Sequence, residues 1–362
     1  MDKRLLRYCA TDKEIYDVIM SSKQKISEAI LLEIAKDRGI FYSPKDTRET
    51  LANNLALLPH DYYDLNTLLG QREGAHRAEK ITSVKLNSKL EMDDIKSVAK
   101  EFKRDASGDE TVVVRQEGPD RYVVSVKYSE IDYSKNRLVQ RKQKEAEVEI
   151  FLKDDQTIIR MPASDKGRDI VADIKNRLDG KKKTDIPITL IELSDIQSAD
   201  KRTEFFTSLI TRLPEYDVDN VTSVKVESSR RHEEAGDVDL EDQDEEQAEQ
   251  EMMAVVNNVA FKGQSLLASE EYQQLRQRGF YITSLVWRAK LTRPDYRIVE
   301  FEAAFDEPEQ GKGFKYNIRG AQFLRGSEYT KTLRHIEPEE RQELLTLLEQ
   351  AAHQALNDVR NS

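Results

Sequence analysis

Residues 228–251, SSRRHEEAGDVDLEDQDEEQAEQE, constrain this chain most, because they cannot enter a hydrophobic core. They hold 11 acidic residues against two basic ones, Arg230 and Arg231, with almost no apolar side chain between them. Dense like charge favours solvated, disordered chain over a packed element. The segment therefore reads as an acidic linker and as the clearest domain boundary. A sharper reading is an acidic tether that mimics nucleic acid and occupies a basic groove. The segment also distorts the average charge. The chain's net charge is -11, from 57 basic and 68 acidic residues, and this segment supplies -9 of it, leaving -2 for everything else. A globally acidic protein has no basic coat for nucleic acid. The nearly neutral remainder makes overall charge a poor guide to what the folded parts bind.

The 362 residues suffice for two or three domains with real cores. Residues 1–80 are rich in helical spacing and predict a helical N-terminal domain. Residues 81–227 then mix periods. Ile81 to Leu86 read as a strand, and Ile95, Val98, Ala99 and Phe102 as one face of a helix. Gly118-Pro119-Asp120 and Asp154-Asp155-Gln156 each separate two strand-like runs, which is hairpin logic. A helix over 170–178, a strand over 186–193, a helix over 201–213 and a strand over 221–226 complete an α+β domain. Residues 252–362 predict a second α+β unit. It has a helix capped by Ser269, a three-stranded meander beginning with the run FYITSLVWRAKL, and a last helix opened by Pro338. The expected fold class is thus α+β: a helical N-terminal domain, then two antiparallel-sheet units separated by an acidic disordered linker.

A single cysteine, Cys9, excludes an intramolecular disulfide and a thiolate metal cluster. No stretch has the apolar length to span a membrane, and the N-terminus has no apolar core of signal-peptide length. The expectation is a cytoplasmic protein with no membrane association and no cofactor.

Within the N-terminal region, residues 25–69 carry the most information. Ile26, Ile30, Leu31 and Ile34 mark one helical face, and Gly39 stands where a left-handed cap would end that helix. Ile40-Phe41-Tyr42-Ser43-Pro44 reads as an extended linker, since the residue before proline avoids the helical region. Thr47 is placed to cap a second helix bearing Leu51 and Leu55, Pro59 ends it, and residues 61–69 form a third. The Leu31/Ile34 face, Gly39-Ile40, Lys45, Glu49, Leu51 and Leu55 resemble the SAP-like helix–extended-loop–helix family, although Pro44 stands where that family often has glycine. The resemblance covers about a tenth of the chain. It implies a small nucleic-acid-binding module that touches phosphates through its linker and the start of its second helix. Lys36, Arg38, Lys45 and Arg48 are the cations that would do so. The alternative is a helical hairpin that packs on its neighbours or on a protein partner.

Other clusters add to this reading. Lys135, Arg137, Arg141, Lys142 and Lys144 crowd one stretch beside Tyr128 and Tyr133. Cations neutralise phosphates, and aromatic rings stack on unpaired bases. Lys181-Lys182-Lys183 form a second basic run, expected in a loop. Arg288, Lys290, Arg293 and Arg297, with Lys312, Lys315, Arg319 and Arg325, surround the C-terminal meander, where Trp287 and Tyr296 are interleaved. Chemistry is poorly represented. No two histidines are spaced to bind zinc, and no nucleophile elbow, phosphate loop or dinucleotide fingerprint occurs. A metal-dependent nuclease would need clustered carboxylates and a lysine, for which Asp132, Glu147, Glu149 and Lys153 are the nearest candidates. The expected function is therefore a non-enzymatic nucleic-acid-binding or adaptor protein. It would contact DNA or RNA through phosphates, and an accessory factor in bacterial defence or mobile-element biology would suit such an architecture. A protein–protein scaffold and a divergent nuclease are the alternatives.

Overall fold

The computed structural model describes residues 10–23, 25–72, 79–88, 90–106, 108, 110–153, 156–228, 258–262, 266–326 and 328–361. Apart from Ser228, the acidic segment lies outside the described residues, as do Cys9, His76 and His232. The chain divides into two compact units. One gathers Met1–Arg77, Lys103–Val113 and Ser125–Ala146, and the other gathers Ala78–Phe102, Val114–Val124 and Glu147–Ser362.

The first unit holds α1 (Asp12–Ser21), α2 (Glu28–Asp37), α3 (Arg48–Ala56) and α4 (Tyr62–Arg72). Each of the first three starts at a side-chain cap. Thr11 and Glu14 form a reciprocal capping box, Ser27 accepts from the Ile30 amide, and Thr47 accepts from the Thr50 amide. Gly39, at φ +73°, ends α2 in the left-handed conformation, and the Ile40 amide turns back to the Ala35 carbonyl at 3.0 Å. Ile15, Val18, Ile19, Ile26, Leu31, Leu51, Leu55 and Leu68 fill the core between the helices. The helical region expected at the N-terminus is thus present, with its caps where the sequence places them.

The second unit is an antiparallel sheet with helices. Its elements run β1 (Ile81–Leu86), α5 (Met92–Asp105), β2 (Thr111–Gln116), β3 (Arg121–Ile131), β4 (Arg141–Lys153), β5 (Gln156–Pro162) and α6 (Asp165–Lys182). They continue through β6 (Ile188–Thr189), α7 (Ala199–Thr211), β7 (Tyr216–Ser228), β8 (Asn258–Lys262) and α8 (Glu270–Gln277). The meander β9 (Phe280–Leu291), β10 (Ile298–Glu307) and β11 (Lys312–Gln322) follows, and α9 (Pro338–Asn361) closes the chain. Parts of α5, β2, β3 and β4 belong to the first unit by the division above.

The strand order is β2-β3-β4-β5-β1-β11-β10-β9-β7-β8, with β6 beside β1. Residues 81–227 and 252–362, expected as separate α+β units, therefore share one sheet. Ile81 of β1 stands opposite Tyr316 of β11, and β7 lies between β9 and β8. The strands themselves are legible from their period, but the period does not name their partners. The strand expected over 186–193 pairs only at Ile188–Thr189. Pro187 has no N–H to give, and its carbonyl accepts from the Asn87 amide at 2.9 Å instead. Ile191 and Leu193 are buried all the same, entering the core from a loop.

One sheet face is covered by α7 and α9. Phe205 and Phe206 of α7 and Leu344, Leu345, Leu348 and Ala352 of α9 pack on Trp287, Phe301, Phe305 and Tyr316. Trp287 and Phe301 stack at 5.4 Å between ring centres. Where α9 crosses β5, the contact becomes ionic. Arg160, with a side chain 4% exposed, reaches Glu349 through Nε at 2.7 Å and Nη2 at 3.0 Å, and Glu149 through Nη1 at 3.0 Å. The Tyr316 hydroxyl donates to the same Glu349 carboxylate. Burial first, and then the Glu349 charge, hold that hydroxyl well above its ordinary pKa, so it remains the donor. Gln342 and Arg121 complete the shell around Glu149, at 2.6 Å and 3.0 Å.

Two predictions follow from this packing. Replacing Arg160 with Met leaves the buried Glu349 without its cation and Glu149 with Arg121 alone, and should cost about 3–5 kcal/mol in urea denaturation. The half-buried His353 of α9 is held down to about 4 by burial and then by Lys85. Its folded pKa lies below the unfolded value, so the unfolded chain binds the proton first. Stability should be complete above pH 6.5 and fall as pH drops toward 4, and His353→Asn should flatten that part of the stability–pH curve.

Candidate nucleic-acid interface

The first unit sorts its cations into those that build the fold and those that face solvent. Arg48 opens α3 and is 8% exposed. Its guanidinium donates to the Ile26 carbonyl at 2.6 Å and to the Ile19 carbonyl, tying α3 to the end of α1 and to the turn before α2. Arg48, expected as a phosphate contact, is thus buried with both terminal nitrogens on carbonyls that would otherwise lack partners. Arg38 is also turned inward. It donates to His60 Nδ1 at 3.0 Å and pairs with Asp64 at 2.9 Å, while His60 Nε2 donates to the Leu55 carbonyl at 2.8 Å. The bond to the Asp61 amide, and then Arg38, lower the Asp64 pKa. Arg38 thereby fastens the end of α2 to the first turn of α4.

Lys36 and Lys45 are exposed, and among the described residues no carboxylate pairs with either. Between them the linker presents Phe41, 83% exposed. The linker is held rather than loose. The Ser43 amide donates to Asp46 Oδ2 at 3.0 Å, and the Asp46 amide returns a bond to the Ser43 carbonyl at 3.0 Å. Across the Arg38 clasp, α4 opens with Tyr62 and Tyr63, both exposed and packed edge to face at 5.6 Å.

The stretch 135–144 divides in the same way. Arg137 grips the Glu14 carboxylate with two bonds, at 2.8 Å and 3.0 Å, and Asn136 donates to the Glu14 carbonyl at 3.2 Å. Leu138 and Val139 then enter the helical core. Arg137, also expected as a phosphate contact, is thus paired with Glu14 and one-third exposed. Lys135 pairs with Asp132 at 2.7 Å and Lys144 with Glu130 at 2.6 Å. Both are surface pairs of small worth. Arg141 is half-buried and Lys142 exposed, and Tyr133 stands 83% exposed beside them.

The candidate nuclease carboxylates do not gather. Lys135 and Ser134 hold the Asp132 pKa to about 2. Glu147 pairs with Arg115 at 2.6 Å, and the buried Glu149 is enclosed by Arg160 and Arg121. Arginine thus occupies the places where a metal would need access. Among the described residues no three His, Cys, Asp or Glu side chains form a group able to hold a metal ion. Lys181 and Lys182 lie in the last turn of α6, not in a loop, and both pair with Asp94, at 3.2 Å and 2.5 Å. Among the described residues no helix is long and apolar enough to cross a membrane.

Of the nine expected contact residues, Lys36, Lys45 and Lys142 are well exposed, whereas Arg38, Arg48 and Arg137 anchor the helices. Sequence reasoning did not single out the exposed rings of Phe41, Tyr62 and Tyr63. The available signal was a phenylalanine two positions after the helix-ending Gly39, in the linker before Pro44. The chain matches no protein-family model and no curated protein sequence.

The contrast between the two cation classes is measurable. Arg48→Ala should destabilise the protein by about 2–4 kcal/mol in urea, since it strips two buried carbonyls of a charged donor. Lys45→Glu should leave the unfolding midpoint within about 0.5 kcal/mol of the wild type.

Proposed function

We propose that this protein binds single-stranded nucleic acid without transforming it, using the linker surface of its first unit. The observation that carries the reading is Phe41, held 83% exposed on an ordered linker between Lys36 and Lys45, neither of which has a carboxylate partner among the described residues. A fully exposed phenylalanine has no folding role that would retain it, whereas a ring flanked by cations suits a base stacked against a phosphate-neutralising rim. Tyr62 and Tyr63, brought to the same junction by the Arg38 clasp, extend the stacking surface. The SAP-like resemblance supports the same region as a nucleic-acid module. The accessory role in bacterial defence or mobile-element biology belongs to this reading as its context.

A second reading, adaptor function, is favoured by Leu57, which is 70% exposed near the same tyrosines and suits an apolar protein contact.

Fluorescence anisotropy with labelled 20-nucleotide DNA and RNA strands, over a salt series, tests the proposal. Binding should weaken steeply with salt. Phe41→Ala should cost about 1–3 kcal/mol, the worth of one stacked base. Lys36→Glu with Lys45→Glu should flatten the log–log salt slope by about 0.7 for each lost phosphate contact. Unchanged affinity in the Phe41 variant, or no binding at 50 mM salt, would sink the reading in favour of the adaptor.

A further inference from the structure

The strands β7, β9, β10 and β11 have two faces. One carries Trp287, Phe301 and Tyr316 and lies under α7 and α9. The register fixes what stands on the other. One row across the sheet reads Lys225, Ser284, Ala304, Lys315. The next reads Ser223, Val286, Glu302, Asn317, and the third Asn220, Arg288, Glu300 and Gly320, with Arg319 as the extra residue of the bulge. No aromatic ring occurs in these rows. A cation ends the first row on each side, and small residues separate the two.

The charges on this face do not cancel. Glu300 takes Arg288 at 2.9 Å and Arg319 at 3.3 Å, and Glu302 takes Lys80 at 2.6 Å. Asp306 pairs with Lys315, and Arg168 approaches it at 3.9 Å. Lys225 is exposed, and among the described residues it has no carboxylate partner. Arg168 is itself held by Asp165 at 2.9 Å, so six cations share four carboxylates. The crowding registers at Lys315, whose pKa is lowered first by burial and then by Lys80, with Arg168 and Lys225 adding to the effect. An added anion would relieve that repulsion.

Strands lie about 4.8 Å apart, so Lys225 and Lys315, three strands apart, are separated by about 14 Å. From Lys315 to Arg319 along β11 is another 13 Å or so, at about 3.3 Å per residue. A single phosphate would meet one corner of such a patch. A duplex presents one charge per roughly 1.7 Å of axis and offers its phosphates without unstacking a base. Without rings to stack on bases, the patch suits contact with the phosphate backbone.

We propose that this face of the second unit's sheet, on which Lys225 and Arg319 are exposed, is a phosphate-backbone site for duplex nucleic acid, independent of base sequence. It rests on other residues, another unit and another ligand form than the single-strand reading above.

The test is anisotropy of the full chain with a labelled 20-bp DNA duplex of random sequence, over the same salt series. Lys225→Glu combined with Arg319→Glu should weaken duplex binding at least tenfold at 50 mM salt. It should also flatten the log–log slope by about 1.8, at about 0.9 per phosphate contact. Lys225→Gln alone, at an exposed position, should flatten the slope by about half as much and covers the case in which the double variant fails to fold. Phe41→Ala should leave duplex binding intact. Three outcomes would overturn the proposal: no duplex binding by the wild type, unchanged duplex affinity in a folded Lys225 variant, or displacement of the duplex by poly-glutamate of equal charge. None of the three bears on single-strand binding, which is read with a different probe and different variants.

Discussion

The second unit depends on a buried carboxylate that could not stand alone. Glu349 lies on the inner side of the last helix, where an unpaired charge would cost several kcal/mol. It is tolerated because Arg160 from β5 and Tyr316 from β11 converge on it, and because Arg160 also satisfies Glu149 from β4. These partners lie far apart in sequence, on both sides of the acidic segment. The same convergence explains why β1 pairs with β11 instead of starting an independent sheet. Apolar packing of α7 and α9 supplies most of the burial. The ionic cluster adds specificity, because an apolar face accepts many registers and a bidentate arginine pair accepts few.

The first unit uses charge in the opposite sense. Arg48 and Arg137 spend forked guanidinium groups on backbone carbonyls and on Glu14, which fixes the helices and the 132–140 loop. Lysine, a mobile point charge, is left for solvent at positions 36 and 45. Counting basic residues along the chain cannot separate these roles. The geometry can, since arginine meets planar acceptors inside while lysine keeps its stem flat on the surface.

This difference sets how much was legible in the sequence. Caps, helix ends and hairpin turns were readable because their causes are local: Thr47, Ser269, Gly39 and Gly118 act on the next few residues only. The α+β class followed from them. The division into separate sheets did not, because Ile81 and Tyr316 carry nothing in their neighbourhoods that names each other. The strand at 186–193 failed for a local reason, Pro187, whose missing donor outweighed a run of β-branched residues. In the candidate interface, the exposure of Lys36 and Lys45 was legible and the burial of Arg48 was not. A buried arginine and an exposed one look alike until the carbonyls of Ile19 and Ile26 are placed beside it.

Global charge and local charge then tell different stories. Most of the net -11 lies in 24 residues, and the remainder is close to neutral. A nearly neutral surface binds a polyanion only where cations outnumber nearby acids, because beyond about 10 Å at moderate salt the opposing charges screen one another. Lys36 and Lys45 on the first unit, and the six cations sharing four carboxylates on the second, are such places. They differ in what accompanies the charge. Exposed rings stand with the first, so the proposed binding there would gain from stacking and keep a part that salt does not remove. The second has only side chains that neutralise phosphate, so salt should remove nearly all of its affinity. The acidic segment, at -9, is the one part of the chain whose charge resembles that of nucleic acid. It adds a negative background to the whole molecule, and that background makes any binding at either surface a local property of geometry and not a consequence of composition.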